Sequence, residues 1–140
     1  MKLRMLSFLI IIVLMLSLSS CIVTSRETHV DITCDEFRDN PSGTRNEFTI
    51  EVGDKVYVEL CSNPTTGFKW SYEMTGDPSV KEEDYNFEEP DSDLTGSAGI
   101  EKWTFEGVEK GTSRIIMAYS QPWDGGTKKE WVYQLTITVE

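Results

Sequence analysis

Apolar and polar residues alternate one for one along most of this chain. Val30, Ile32 and Cys34 alternate with polar neighbours, and Val56, Val58 and Leu60 with Tyr57 and Glu59. Phe68, Trp70, Tyr72 and Met74 alternate with Lys69, Ser71 and Glu73. Trp103 and Phe105 obey the same rule, and residues 115–119 form a short apolar run. The last segment is the clearest: Trp131, Tyr133, Leu135, Ile137 and Val139 share one face, opposite Gln134, Thr136 and Thr138. A period of two in β-branched and aromatic residues, broken by Gly, Pro and Asn, predicts half-buried strands. About six or seven of them predict two packed antiparallel sheets, an all-β sandwich. No long helix and no internal repeat is visible. Residues 25–46 read as polar, with Pro41, Ser42 and Gly43, and the first part of that stretch reads as a tether.

The pattern changes before residue 21. Lys2 and Arg4 precede an apolar run over residues 5–18, interrupted only by Ser7 and Ser17, and Leu18-Ser19-Ser20 leads into Cys21. A spanning helix needs roughly 20 apolar residues, so this run reads as an export signal over residues 1–20. Leu-Ser-Ser-Cys resembles a lipobox, in which the Cys is lipidated and becomes the new N-terminus. That implies an exported cell-envelope lipoprotein, held to the membrane through Cys21, and a prokaryotic source. Ordinary signal cleavage with Cys21 as a passenger is the alternative. The organisation expected is a tether over residues 21–28 and one domain over residues 29–140, of a size that suits a single core and a monomer.

Charge narrows the partners. All 24 acidic residues follow the signal, against 11 of the 13 basic ones, a net formal charge of −13. Nucleic acid is thereby excluded, because its phosphates require a basic surface. Cys34 and Cys61 are the two thiols left once Cys21 is assigned to the anchor. In an exported chain they most simply form one disulfide, stabilising by roughly 3 to 4 kcal/mol. Two separate buried thiols remain the alternative.

Catalysis finds no support. The single histidine, His29, falls near the start of the first strand, with no base–nucleophile pair around it. No zinc-ligand spacing and no phosphate loop is present, and no cofactor is expected. Glu82, Glu83, Asp84, Glu88, Glu89, Asp91 and Asp93 form an acidic cluster, read as a solvated loop in preference to a calcium site.

Three connections are unlike ordinary turns: residues 62–67, 88–99 and 120–129. The first holds Asn63-Pro64-Thr65-Thr66-Gly67-Phe68-Lys69-Trp70, the second Gly96-Ser97-Ala98-Gly99 and the third Gln121-Pro122-Trp123. Pro64 fixes one φ and Gly67 can supply a positive one, so the first loop is held in a tight, uncharged turn. The first motif closely resembles the Asn-Pro-Thr-Thr-Gly-aromatic-x-Trp signature of the chagasin-type cysteine peptidase inhibitors. The second and third, in the same order, resemble that family's Gly-x-Gly-Gly and Arg-Pro-Trp loops. The resemblance implies an immunoglobulin-like sandwich whose three loops, clustered at one end, fill the cleft of papain-type peptidases without covalent chemistry. The residues it marks for peptidase binding are the thirteen from Asn63 to Phe68, from Gly96 to Gly99 and from Gln121 to Trp123. Two departures stand out: Gln121 replaces the family's Arg, removing a charge, and Ala98 replaces the middle Gly, adding a Cβ. A surface-anchored adhesion or assembly module of the same fold is the competing reading.

Overall fold

The computed structural model describes residues 25–41, 43–90, 94 and 96–140. The export signal and Cys21 therefore lie outside the described residues. Among the described residues there are eight strands: β1 (Glu27–Ile32), β2 (Thr44–Ile50), β3 (Lys55–Ser62), β4 (Lys69–Gly76), β5 (Val80–Glu88), β6 (Gly99–Gly107), β7 (Gly111–Ser120) and β8 (Trp131–Val139). A short helix, α1 (Cys34–Asp39), joins β1 to β2. One sheet has the order β1-β3-β6-β5 and the other β2-β8-β7-β4.

The sandwich is mixed, where the alternation predicts purely antiparallel sheets. β1 pairs with β3 in parallel and β2 pairs with β8 in parallel. The cause is the path of the chain. β1 rises in one sheet, α1 crosses to β2 descending in the other, and β3 rises again in the first. Two changes of sheet leave β1 and β3 pointing the same way.

The alternation buries one side chain in two. Val56, Val58, Leu60, Phe105, Ile115, Met117, Tyr133, Leu135 and Ile137 are fully buried between the sheets, each worth about 1.5–3 kcal/mol against exposure. Cys34 is not on β1, as the alternation suggested, but opens α1, because Thr33 and Glu36 form a capping box that starts a helix there. β1 begins at Glu27, inside the span expected as tether.

The acidic cluster is corrected too. Glu82, Glu83, Asp84 and Glu88 lie on β5, an exposed edge strand, while Asp91 and Asp93 fall outside the described residues. Lys55 pairs with Glu83 at 2.6 Å, and Lys102 with Glu88 at 2.6 Å. Charge on an edge strand blocks pairing with another chain, which is why a strand can read as a loop. Among the described residues no group of His, Cys, Asp and Glu is placed to hold a metal ion.

Candidate functional site

Strand direction decides where the connections fall. The β3–β4, β5–β6 and β7–β8 connections, here loops 1, 2 and 3, all lie at one end of the sandwich, together with α1. The start of β1 and the end of β8 lie at the other end.

Loop 1 is a single 3₁₀ turn, Pro64–Thr66, with Pro64 at its first position. Asn63 caps it: its Oδ1 accepts from the Thr65 N–H at 3.2 Å and from the Thr65 hydroxyl at 2.6 Å. The Thr66 hydroxyl donates to the Asn63 carbonyl at 2.6 Å, and the Gly67 N–H to the Pro64 carbonyl at 3.0 Å. Gly67 closes the turn at φ 78°, a left-handed conformation that glycine adopts freely. A Cβ at Gly67 would also run into the Trp123 ring. The two residues are thus matched, one giving the room that the other fills.

The loops are tied to one another. The Asn63 Nδ2 donates to the Gly96 carbonyl at 2.7 Å, joining loop 1 to loop 2. The Gln121 Nε2 donates to the Thr66 carbonyl at 3.3 Å, joining loop 3 to loop 1, and its Oε1 accepts from the Thr127 N–H at 3.0 Å. Gln121 therefore supplies both a donor and an acceptor, and an arginine offers only donors. Lys128 closes loop 3, donating from Nζ to the carbonyls of Gln121 and of Trp123. Ala98 adds no strain, because Lys129 is the one non-glycine with a positive φ among the described residues. Gly96 (φ 89°) takes the left-handed conformation in loop 2.

Beneath loop 1 lies an aromatic stack. Phe68 packs on Tyr119 at 5.1 Å, Tyr119 on Trp131 at 4.9 Å, and Trp131 on Phe37 at 5.2 Å. The Tyr119 hydroxyl accepts from the Asn63 N–H at 2.6 Å, and the Trp70 Nε1 donates to the Cys61 carbonyl at 2.9 Å. Cys61 is bonded to Cys34, with their Cα atoms 5.2 Å apart, so the expected bridge forms and braces the strand that enters loop 1. Next to it the Ser62 hydroxyl donates to the buried Glu101 carboxylate at 2.7 Å, which also accepts from the Tyr85 hydroxyl at 3.0 Å. Burial and the nearby Glu101 charge push the Tyr85 pKa up to about 12.

The thirteen residues marked in the sequence fall into three groups. Pro64, Thr65, Thr66, Pro122 and Trp123 are exposed at the tip, with Trp123 49 % exposed and so not a core anchor. Asn63, Gly67, Gly96 and Gln121 shape and connect the loops, while Ser97 and the exposed Ala98 continue loop 2. Phe68 and Gly99 face inward: Phe68 is half-buried in the stack, and Gly99 is the buried first residue of β6. A Cβ at Gly99 would strike the Glu88 carbonyl and the Phe87 ring, so its glycine serves the fit of β5 against β6. Sequence reasoning missed Leu94, 76 % exposed on loop 2 and lining a shallow cavity with Pro64 and Thr65. An apolar residue inside a polar loop was the available signal. It also missed Tyr119 and Lys128, whose partners are remote in the chain or are main-chain carbonyls.

The comparisons agree with this geometry. Residues 49–137 match the model of the chagasin family peptidase inhibitor I42. Chagasin of Trypanosoma cruzi is 37 % identical over 81 residues, covering 55 % of this chain and 74 % of that protein. Amoebiasin-2 of Entamoeba histolytica is 31 % identical over 91 residues, covering 64 % and 72 %. The crystal structure of the cysteine protease inhibitor EhICP2 from Entamoeba histolytica shares the fold with a TM-score of 0.65 at 18 % identity, over 84 % of this chain and all of that one. PbICP-C, solved in complex with falcipain-2, shares it with a TM-score of 0.55 at 15 % identity, over 83 % of this chain and all of that one. The protein belongs to the chagasin family of peptidase inhibitors.

Proposed function

We propose that this protein inhibits papain-type cysteine peptidases reversibly and without covalent chemistry, by seating loops 1, 2 and 3 in the active-site cleft. The observation that carries the reading is the cross-tied wedge at one end, uncharged at its tips over residues 63–68, 96–98 and 121–123: Asn63 binds Gly96, and Gln121 binds Thr66. Loop 1 leads, with Leu94 beside Pro64 and Thr65, and Trp123 beside Gly67, offering apolar area. A wedge already ordered by its own hydrogen bonds loses little entropy on binding. It also resists cleavage, because a peptidase acts on an extended backbone and the 3₁₀ turn at residues 64–66 is not one.

The anchor complements this arrangement. With lipid on Cys21, the membrane side of the domain is the end where β1 starts. The eight residues of β3 rise by roughly 26 Å in all, so the loops face outward, away from the bilayer. A monomer suffices, since one chain carries all three loops.

The test titrates papain-type peptidases with the purified full chain in mild detergent. Competitive, reversible inhibition with no cleavage of the inhibitor is expected, and Thr66→Arg should weaken it by several kcal/mol by forcing a charge into a desolvated contact. Absence of inhibition at micromolar concentration across a panel would sink the reading and leave an adhesion module. For the anchor, an intact mass without acyl chains on Cys21 would exclude lipidation.

A further inference from the structure

α1 shares the loop end of the sandwich, yet it lies outside residues 49–137, the stretch that matches the family. It is fastened at its start and along its inner face. The Thr33 N–H donates to the Glu36 carboxylate at 2.8 Å, and the Glu36 N–H to the Thr33 hydroxyl at 3.3 Å. Cys34 is bonded to Cys61, two residues before Asn63. Phe37 is fully buried against Trp70 and Trp131, at 5.1 and 5.2 Å. Joining two strands does not need so much fixing. On its outward side a groove of about 400 Å³ separates the helix from loop 1. Cys34 and Arg38 form one wall, Thr66 and Phe68 the other, and Tyr119 and Trp131 an apolar floor.

We propose that α1 is a fourth contact element of the inhibitor. The groove takes an apolar side chain from the wall of the peptidase cleft, and the helix selects peptidases whose wall is basic at that place. This rests on the reading of loops 1 to 3 as the peptidase-binding surface. Continuity identifies the occupant: Thr66 belongs both to the tip of loop 1 and to the groove, so a body seated on loop 1 covers the groove as well. Charge defines its chemistry. Asp35, Glu36 and Asp39 are exposed on the helix and Glu130 lies at the groove, against Arg38 alone, which is itself paired with Asp35. Residues 63–68, 96–98 and 121–123 carry no charge. The tips therefore fit papain-type clefts in general, and discrimination among them falls to the charges that flank the tips, those of α1 and those of Glu89, Asp124, Lys128 and Lys129 in loops 2 and 3.

The test measures inhibition constants of the full chain against papain-type peptidases that are basic or acidic beside the cleft. The double variant Asp35→Lys/Asp39→Lys reverses the rim charge and leaves Thr33, Cys34, Glu36 and Phe37 in place. It should weaken inhibition of the basic-walled enzymes about tenfold and strengthen that of the acidic-walled ones, with the difference shrinking at high salt. Arg38→Trp, which fills the groove, should weaken inhibition of all of them at an unchanged melting temperature. Should Arg38→Trp unfold the protein, the charge-reversed variant decides alone. If the wild type inhibits and Thr66→Arg does not, but the α1 variants stay within about twofold of wild type on every enzyme, the proposal is overturned and the loop reading stands. A wild type that inhibits nothing overturns both.

Discussion

The two ends of the sandwich are built differently. At the end where β1 starts, carboxylates seal the turns. Asp54 accepts the Arg26 N–H at 2.6 Å and the Glu51 N–H at 2.9 Å, and Asp77 accepts the Thr112 N–H at 2.8 Å. At the loop end the ties that join loop 1 to loops 2 and 3 are made by neutral amides, Asn63 and Gln121, helped by the Tyr119 hydroxyl. Charged groups, the Glu36 carboxylate and the Lys128 ammonium, close α1 and loop 3 beside them. A carboxylate makes the stronger bond to an N–H, but burying it under a partner means stripping a charge of water. An amide whose groups are already spent inside the molecule is cheaper to cover. The ties between the three loops are thus of the kind that is cheapest to cover with a partner.

The largest effect that would break this contrast is loss of the bridge below loop 1. Cys34→Ala/Cys61→Ala should cost about 3 to 4 kcal/mol of stability, read as a lower denaturant midpoint. Free-thiol labelling of both cysteines in the folded, unreduced protein would contradict it.

Next comes the matched pair at the tip. Trp123→Ala should cost about 2 kcal/mol of binding, mostly through faster dissociation, with little change in melting temperature because the residue is half-exposed on loop 3 and outside the core. Gly67→Ala should weaken binding in the wild-type background and much less in the Trp123→Ala background, since the new Cβ then meets no ring. Additive effects in that cycle would show that the two do not act together.

Asn63→Ala removes the tie between loops 1 and 2 and should weaken inhibition by about 1 to 2 kcal/mol at any pH where the fold persists. An inhibition constant equal to that of the wild type would mean that the loops need no such bracing.

The smallest effect lies at the opposite end. Asp54→Asn should lower stability by about 1 kcal/mol and leave inhibition unchanged. The Glu51 N–H, and then the Arg26 N–H, hold the Asp54 carboxyl below its ordinary value of 3.8. Its contribution is therefore complete above that value and fades as pH falls from there toward the lower pKa of the folded state. Acid titration of the melting temperature should show that part of the loss in the wild type and not in Asp54→Asn. An identical acid limb in both would remove Asp54 from the account.

Much of this was legible in the residues. The face shared by Trp131, Tyr133, Leu135, Ile137 and Val139 specifies a half-buried strand whatever its neighbours, because side chains alternate across a sheet. Asn63, Pro64 and Gly67 specify a tight turn through local backbone chemistry alone, and the two remaining thiols pointed to the Cys34–Cys61 bond. What stayed hidden depends on partners distant in sequence. β5 looks like an acidic loop until Lys55 and Lys102 are placed beside it, and residues 44–50 show too little apolar alternation to announce the edge strand they become. Gly99 reads as loop until the Phe87 ring lies against it. Likewise Gln121 looks like the loss of a cation, and only the nearness of the Thr66 carbonyl and the Thr127 N–H makes it a brace. Local rules fixed the alternating strands and the turn, though not β2 and β5, because propensity and alternation act within a few residues. The placing of α1 and three loops at one end was decided by the tertiary fold, because it follows from the directions in which eight strands run.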